Sequence, residues 1–281
     1  MDLWFSEFHT PHVKLSIKVK EQLYHHKSTY QTIDIFDSYE FGRFLTLDGF
    51  MMLTEKDEFI YHEMIVHPAF AVHPNIQSVL VIGAGDGGTV RELTKYDTIQ
   101  SIDLVEIDGA VIEACRQYLP QTASALDDPR VRLHIEDGLP FVRKQHQAYD
   151  LIIVDSTDPF GPGENLFTRE FYGNCYHALK AQGILINQHE SAFYDQDRQA
   201  MQKAHQLLAK VFPVADLYQF HLPTYPSGAW LFGFASKGLD PIKDADHQTW
   251  SDRNISTSYY NPGIHQAAFA LPTYVKELIQ P

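Results

Sequence analysis

Val79-Leu80-Val81-Ile82-Gly83-Ala84-Gly85-Asp86-Gly87-Gly88 is an apolar run that breaks into glycines around a single carboxylate. A short apolar run bounded by a glycine turn reads as a strand buried on both faces, the pattern of a parallel sheet. A second run, Leu151-Ile152-Ile153-Val154, also ends on acid, in Asp155-Ser156-Thr157-Asp158-Pro159. In an open α/β sheet the carboxyl ends of parallel strands border the ligand crevice. Asp86, Asp155 and Asp158 are therefore expected to crowd one pocket, which would repel anions and concentrate cations.

Strand and helix patterns alternate outward from these two runs. Strands are expected at Ser78–Ile82, Ser101–Glu106, Val131–Ile135, Tyr149–Val154 and Gly183–Gln188, then at Ala215–Phe220 and Trp230–Ala235. Helices are expected at Thr89–Tyr96, Asp108–Tyr118, Thr168–Leu179, Asp195–Val211 and Pro272–Ile279. This rhythm implies an α/β fold, a mostly parallel sheet with helices on both faces. Residues 1–56 differ. Val13–Lys20, Gln31–Ser38, Phe41–Leu47 and Phe50–Leu53 read as strands, with Asp48-Gly49 as a hairpin signal and His25-His26 in a polar turn. Two units follow: a small antiparallel β domain over 1–56 and a catalytic domain over 57–281. The second opens with a helix over Asp57–Phe70 that ends near Pro68 and Pro74.

Composition excludes several classes. The 281 residues carry 36 acidic and 22 basic side chains, a formal charge of -14, which argues against a nucleic-acid binder with its basic stripe. The two cysteines, Cys115 and Cys175, form no CxxC pattern, as in a reduced cytoplasmic protein. No signal peptide and no membrane-spanning run is visible. Fifteen histidines invite a metal hypothesis, yet His62-Glu63 followed by His67 is one residue too long for HExxH, so no metal site is expected.

The glycine loop suits a nucleoside. Glu106 ends the strand after it, 20 residues beyond Asp86, where a carboxylate can accept from both ribose hydroxyls. Glu136-Asp137-Gly138 ends the third strand. There Asp137 could hold a base amine, cap the helix that begins at Leu139, or do both. Asp86 has the wrong sign for a pyrophosphate at the helix N-terminus, and for the carboxylate of S-adenosylmethionine. A nucleoside carrying an amine would fit better.

The chain resembles the spermidine synthase family, the polyamine aminopropyltransferases. The resemblance rests on Asp155–Pro162 (DSTDPFGP) continuing to Leu166-Phe167, on Tyr61-His62-Glu63-Met64, on the GAGDGG loop, on Gln188-His189-Glu190-Ser191 and on Tyr225-Pro226-Ser227-Gly228. Ala84 departs from a frequent glycine, which should matter little unless that backbone needs a positive φ. The resemblance implies a Rossmann-like fold of the class I methyltransferase type. The reaction implied passes the aminopropyl group of decarboxylated S-adenosylmethionine, a co-substrate rather than a cofactor, to putrescine. Gln31, Glu106, Asp137, Gly138 and Pro162 would surround the nucleoside. Asp86 would hold the aminopropyl amine, and so touch donor and polyamine alike. Tyr61, His62, Asp155, Asp158, Gln188 and Tyr225 would surround the acceptor, with Asp155 taking the proton and Tyr61 orienting or relaying it. Residues 158–167 would form a lid, and the β domain would pack in a homodimer or homotetramer. A core role for His62 and a turn role for Tyr225 are the structural alternatives, and Trp230 reads as core. The rival functions are an N-methyltransferase on the same fold, a non-enzymatic nucleoside or polyamine sensor, and transfer to agmatine, cadaverine or spermidine.

Overall fold

The computed structural model describes residues 2–156 and 161–280, without the side chains of 161 and 162. Its N-terminal part is a five-stranded antiparallel sheet in sequential order: β1 (Leu3–Thr10), β2 (Val13–Lys27), β3 (Thr32–Ser38), β4 (Arg43–Leu47) and β5 (Phe50–Thr54). Asp48 and Gly49 both take positive φ, 51° and 84°, in the β4–β5 hairpin, as the Asp-Gly signal requires. Two expectations fail here. Leu3–Thr10 is a strand paired with β2, and β2 runs on to Lys27. His25 and His26 therefore lie in strand, paired with Asp34 and Ile33, rather than in a polar turn. Register shifts between Val19 and Glu21 and between Gln22 and Tyr24 break the regular alternation of β2, and that irregularity hid its second half.

The helix α1 (Glu58–Val72) links the two sheets and is buried on nearly every side. It runs straight through Pro68. Proline leaves the carbonyl four residues earlier without its helical partner, and here Tyr218 donates its hydroxyl to that Met64 carbonyl at 2.8 Å. The tertiary bond explains why the proline does not end the helix.

The second sheet has seven strands in the order β11-β12-β10-β9-β6-β7-β8. Its strands are β6 (Ser78–Gly83), β7 (Ser101–Glu106), β8 (Val131–Ile135), β9 (Tyr149–Asp155), β10 (Leu179–His189), β11 (Val214–His221) and β12 (Ala229–Ser236). The β8-β7-β6-β9-β10 block is parallel, and β12 pairs antiparallel with both β10 and β11. Its helices are α2 (Gly88–Thr94), α3 (Gly109–Tyr118), α4 (Pro120–Ala123), α5 (Gly138–Arg143), α6 (Arg169–Ala178), α7 (Asp195–Ala209), α8 (His247–Asp252), α9 (Pro262–Phe269) and α10 (Thr273–Ile279). Val79, Val81, Leu151 and Ile153 face one core, with α1 and α2. Leu80, Ile82, Ile152 and Val154 face the other, with α6. Both faces are covered, so these strands read as unbroken apolar runs. Both cysteines are free and buried. Among the described residues no helix is long and apolar enough to cross a membrane.

Candidate active site

Because β6, β7, β8, β9 and β10 are parallel, their carboxyl ends open on one edge of the sheet. The chain turns there sharply. Gly83 has φ +87°, and a Cβ on it would sit 2.0 Å from the Asp155 carbonyl, so the ends of β6 and β9 meet only because residue 83 has no side chain. Ala84 follows with φ +61°. Its backbone does occupy the left-handed region, which costs a residue with a Cβ about 1 kcal/mol. Ala84 N–H donates to the Asp155 carbonyl at 2.9 Å, so the Asp86 loop and Asp155 are fastened to each other.

These ends frame a cleft. Gln31, Asp86, Glu106, Asp137 and Gly138 line it together with Tyr61, His62, Asp155, Gln188 and Tyr225. Pro162 belongs to the 3-10 turn Gly161–Phe167, whose Gly163, Asn165 and Leu166 border the same cleft. Asp158, and with it the first part of the expected lid, lies outside the described residues.

Asp155 is held at both oxygens. Its Oδ1 accepts from the Tyr61 hydroxyl at 2.8 Å and its Oδ2 from Thr89 at 2.6 Å. Burial, then the nearby Asp86 charge, raises its proton affinity above the ordinary aspartate range. Tyr61 leans weakly on Gln188 Oε1 at 3.4 Å, and burial, then Asp155, pushes its phenol well above the usual value. The tyrosine thus stays a proton donor to Asp155. Tyr225 donates to the Met52 carbonyl at 2.6 Å, tying the site to the N-terminal sheet.

Asp86 accepts the Gly88 amide at 2.8 Å and lies 3.2 Å from His62 Nε2. The other ring nitrogen, Nδ1, is 2.5 Å from Glu58 Oε2, and Arg91 donates to both oxygens of Glu58 at 2.7 and 2.9 Å. Burial opposes charge on His62, but Asp86 and Glu58 outweigh it and raise the imidazole to about 10. Burial likewise opposes charge on Asp86, and the imidazolium nevertheless holds it below its normal range. One donor atom from each of His62, Asp86 and Asp155 lies within 4.8 Å of the other two, a spacing that metal sites also use.

Glu106 accepts the Asp108 amide at 2.8 Å. Burial, then the Asp108 and Asp86 charges, raises it to about 7. Asp137 accepts the Leu139 amide at 2.9 Å, so the helix cap weighed in the sequence is present while Asp137 also lines the cleft.

Four residues are singled out by no motif. Thr89, which grips Asp155, is one hydroxyl in a helix start. Glu58 becomes visible as a partner of His62 only through i,i+4 spacing. Asp108 caps α3, but its Oδ2 also takes hydrogen bonds from Ser28 at 2.6 Å and Gln31 Nε2 at 3.1 Å, binding the two sheets together. Glu7 lies on β1, the strand that sequence reading missed. It lines a second cleft with Glu190 and Asp197, walled by Trp230, which shares the lining residues Met52, Gln188 and Tyr225 with the first. Glu63, for its part, is structural: it accepts the amides of Ser258, Tyr259 and Tyr260 at 2.7 to 2.8 Å and pins the C-terminal segment to α1.

Comparison with known proteins agrees with this arrangement. Residues 58–244 match the family model described as the spermine/spermidine synthase domain, and residues 3–55 the one described as the spermidine synthase tetramerisation domain. A polyamine aminopropyltransferase of Clostridium perfringens (strain 13) is 63% identical over 280 residues, covering 100% of this chain and 99% of that one. The one from Alkaliphilus oremlandii is 60% identical over 280 residues, with the same coverage. A crystal structure of spermidine synthase with the transition-state analogue AdoDATO superposes with a TM-score of 0.96 at 46% identity, covering 99% of this chain and 94% of that one. Spermidine synthase from Thermotoga maritima gives 0.95 at 46% identity, with the same coverage. The fold is thus the methyltransferase-like one of these synthases, and the chain belongs to the spermine/spermidine synthase family of aminopropyl-transferring enzymes.

Proposed function

We propose that the chain transfers the aminopropyl group of decarboxylated S-adenosylmethionine to putrescine, giving spermidine, 5'-methylthioadenosine and a proton. The observation that carries this reading is the meeting of Asp86 and Asp155 in one cleft that shares Met52, Gln188 and Tyr225 with a second cleft lined by Glu7, Glu190 and Asp197. An anionic donor tail is repelled there, and a chain with an ammonium at each end is drawn in.

On this reading Glu106 accepts from the ribose, and Asp137 with Gly138 and Gln31 surrounds the base side. Pro162 belongs to the turn over the nucleoside. Asp86 offers its second oxygen to the aminopropyl ammonium. The acceptor lies along Tyr61, Gln188 and Tyr225, and its far ammonium reaches the second cleft; the sequence motif adds Asp158 to its contacts. The sulfonium is already a good leaving group, so the task is to present a bare amine. A free alkylamine titrates near ~10 and is inert when protonated. The reactive nitrogen must stand roughly 3–3.5 Å from carbon, in line with the carbon–sulfur bond. Asp155 accepts a hydrogen bond from that nitrogen, stabilises the ammonium as it forms and takes the proton. Tyr61, its own proton committed to Asp155, orients the nitrogen through an oxygen lone pair. The donor is consumed as a co-substrate, and no metal enters these steps. The match of residues 3–55 to a tetramerisation domain and the exposed Leu3, Trp4 and Phe8 on edge strand β1 support a homodimer or homotetramer.

The test is Asp155→Asn. Turnover should fall about 10²–10⁴-fold, the usual range for a lost general base, while methylthioadenosine still binds. Near-normal turnover in the purified variant rejects the role. A panel of putrescine, cadaverine, agmatine and spermidine with the decarboxylated donor then fixes the acceptor.

A further inference from the structure

An acidic cleft that attracts a diamine creates a chemical difficulty. The field that draws in the dication also stabilises the ammonium form, which cannot attack. The groups around His62 offer a resolution. Its Nδ1 faces Glu58 Oε2 at 2.5 Å and its Nε2 faces Asp86 Oδ1 at 3.2 Å. A neutral imidazole has one N–H, so a neutral ring would aim a lone pair at a carboxylate oxygen. Glu58 is held ionised by Arg91, which donates to both of its oxygens, and Asp86 Oδ1 already accepts the Gly88 amide. The proton these contacts require belongs on the ring. The ring cannot swing away, because it packs on Gly88 so closely that a Cβ there would lie 2.2 Å from it.

We propose that Glu58 and Asp86 hold His62 as an imidazolium, and that its charge, set against Asp155, keeps the acceptor's attacking nitrogen free of its proton. The inference rests on the aminopropyl-transfer reading. The charged and titratable groups facing the ring are Glu58 and Tyr61 from α1, Asp86 from the glycine loop, Arg91 from α2 through Glu58, and Asp155 from β9. The imidazolium offsets the Asp86 charge locally. A cation beside an amine disfavours its protonation, the device by which lysine nucleophiles are activated. Asp155 and the nitrogen titrate as a pair, and the imidazolium pushes the pair toward the state with one proton fewer. His62 acts on the reacting nitrogen through the field. Glu58 is a positioning residue that acts through His62.

Two measurements test this on the full-length protein. In ¹⁵N-histidine-labelled enzyme, with the His62 signals assigned by their loss in His62→Gln, both ring nitrogens should be protonated at pH 8. In Glu58→Gln the ring should lose its second proton at lower pH. With both substrates saturating, the acidic limb of the kcat–pH profile should move up by roughly one unit or more in His62→Gln and in the same direction in Glu58→Gln, with rates recovering at high pH. A neutral His62 ring at pH 8 in the unmodified enzyme overturns the proposal. So does a loss of kcat that is uniform across pH. If His62→Gln fails to fold, the kcat–pH profile of Glu58→Gln decides: an acidic limb that does not move up overturns the proposal. Failure of the aminopropyl reading would show separately, as absence of methylthioadenosine with the unmodified enzyme, and would leave the spectra unchanged.

Discussion

Glu106 should make the free protein less stable as it becomes charged, and the effect can be worked out from its surroundings. The carboxyl ends β7, is 8% exposed and lies near Asp108 and Asp86. These conditions raise it from 4.5 to about 7. Between those values the folded protein keeps a proton that the unfolded chain has released. Stability therefore falls as pH rises from 4.5, and the loss is complete above about 7. At 1.36 kcal/mol per unit, the difference amounts to about 3 kcal/mol. In Glu106→Gln the side chain can still accept the Asp108 amide but cannot ionise, so this component disappears. Urea unfolding of both proteins at fixed concentration, at pH 4 and pH 8, measures it. The unmodified protein should lose about 3 kcal/mol more than the variant over that interval. A ribose that donates hydrogen bonds favours the charged carboxylate, so methylthioadenosine should bind with proton release below pH 7. Calorimetry in buffers of different ionisation heat detects it. Equal pH slopes in the two proteins, together with no proton release, would refute the reasoning.

Two other substitutions probe how the cleft is assembled. Ala84→Gly relieves the left-handed backbone at φ +61°, and the roughly 1 kcal/mol gained offsets the greater freedom of glycine in the unfolded chain. The urea midpoint should stay level or rise, whereas Ala→Gly within an ordinary helix or strand lowers it. Asp108→Ala removes the oxygen that Ser28 and Gln31 share. The dissociation constant of methylthioadenosine should rise about tenfold, while kcat at saturating donor changes much less. A change in kcat alone contradicts the assigned role.

The parallel sheet was legible because strands buried on both faces are unbroken apolar runs, and runs that end in Gly83 or Asp155 announce which edge carries the site. The edge strand β1 was not. Trp4, Phe8 and Leu3 are exposed in this chain, so its apolar residues do not mark an inward face. The second half of β2 was lost to its register shifts, and Pro68 suggested a helix end that the Tyr218 hydroxyl cancels. The same limit applies to the site. Its chemistry-bearing residues could be named, since their types and motifs are local. The partners that set their charge could not, because Glu58–Arg91, Thr89–Asp155 and Gln31–Asp108 are contacts between separate elements. The glycine loop shows both sides of this. Its sequence raised the question of φ at Ala84, and the fold answered it.

Product analysis tests the central claim most directly. Purified protein incubated with decarboxylated S-adenosylmethionine and putrescine should yield methylthioadenosine and spermidine in equal amounts, and intact S-adenosylmethionine should yield no adenosylhomocysteine. Accumulation of adenosylhomocysteine with a methylated amine, or no methylthioadenosine from the decarboxylated donor, would contradict the reading of this cleft as a place where an amine displaces a thioether.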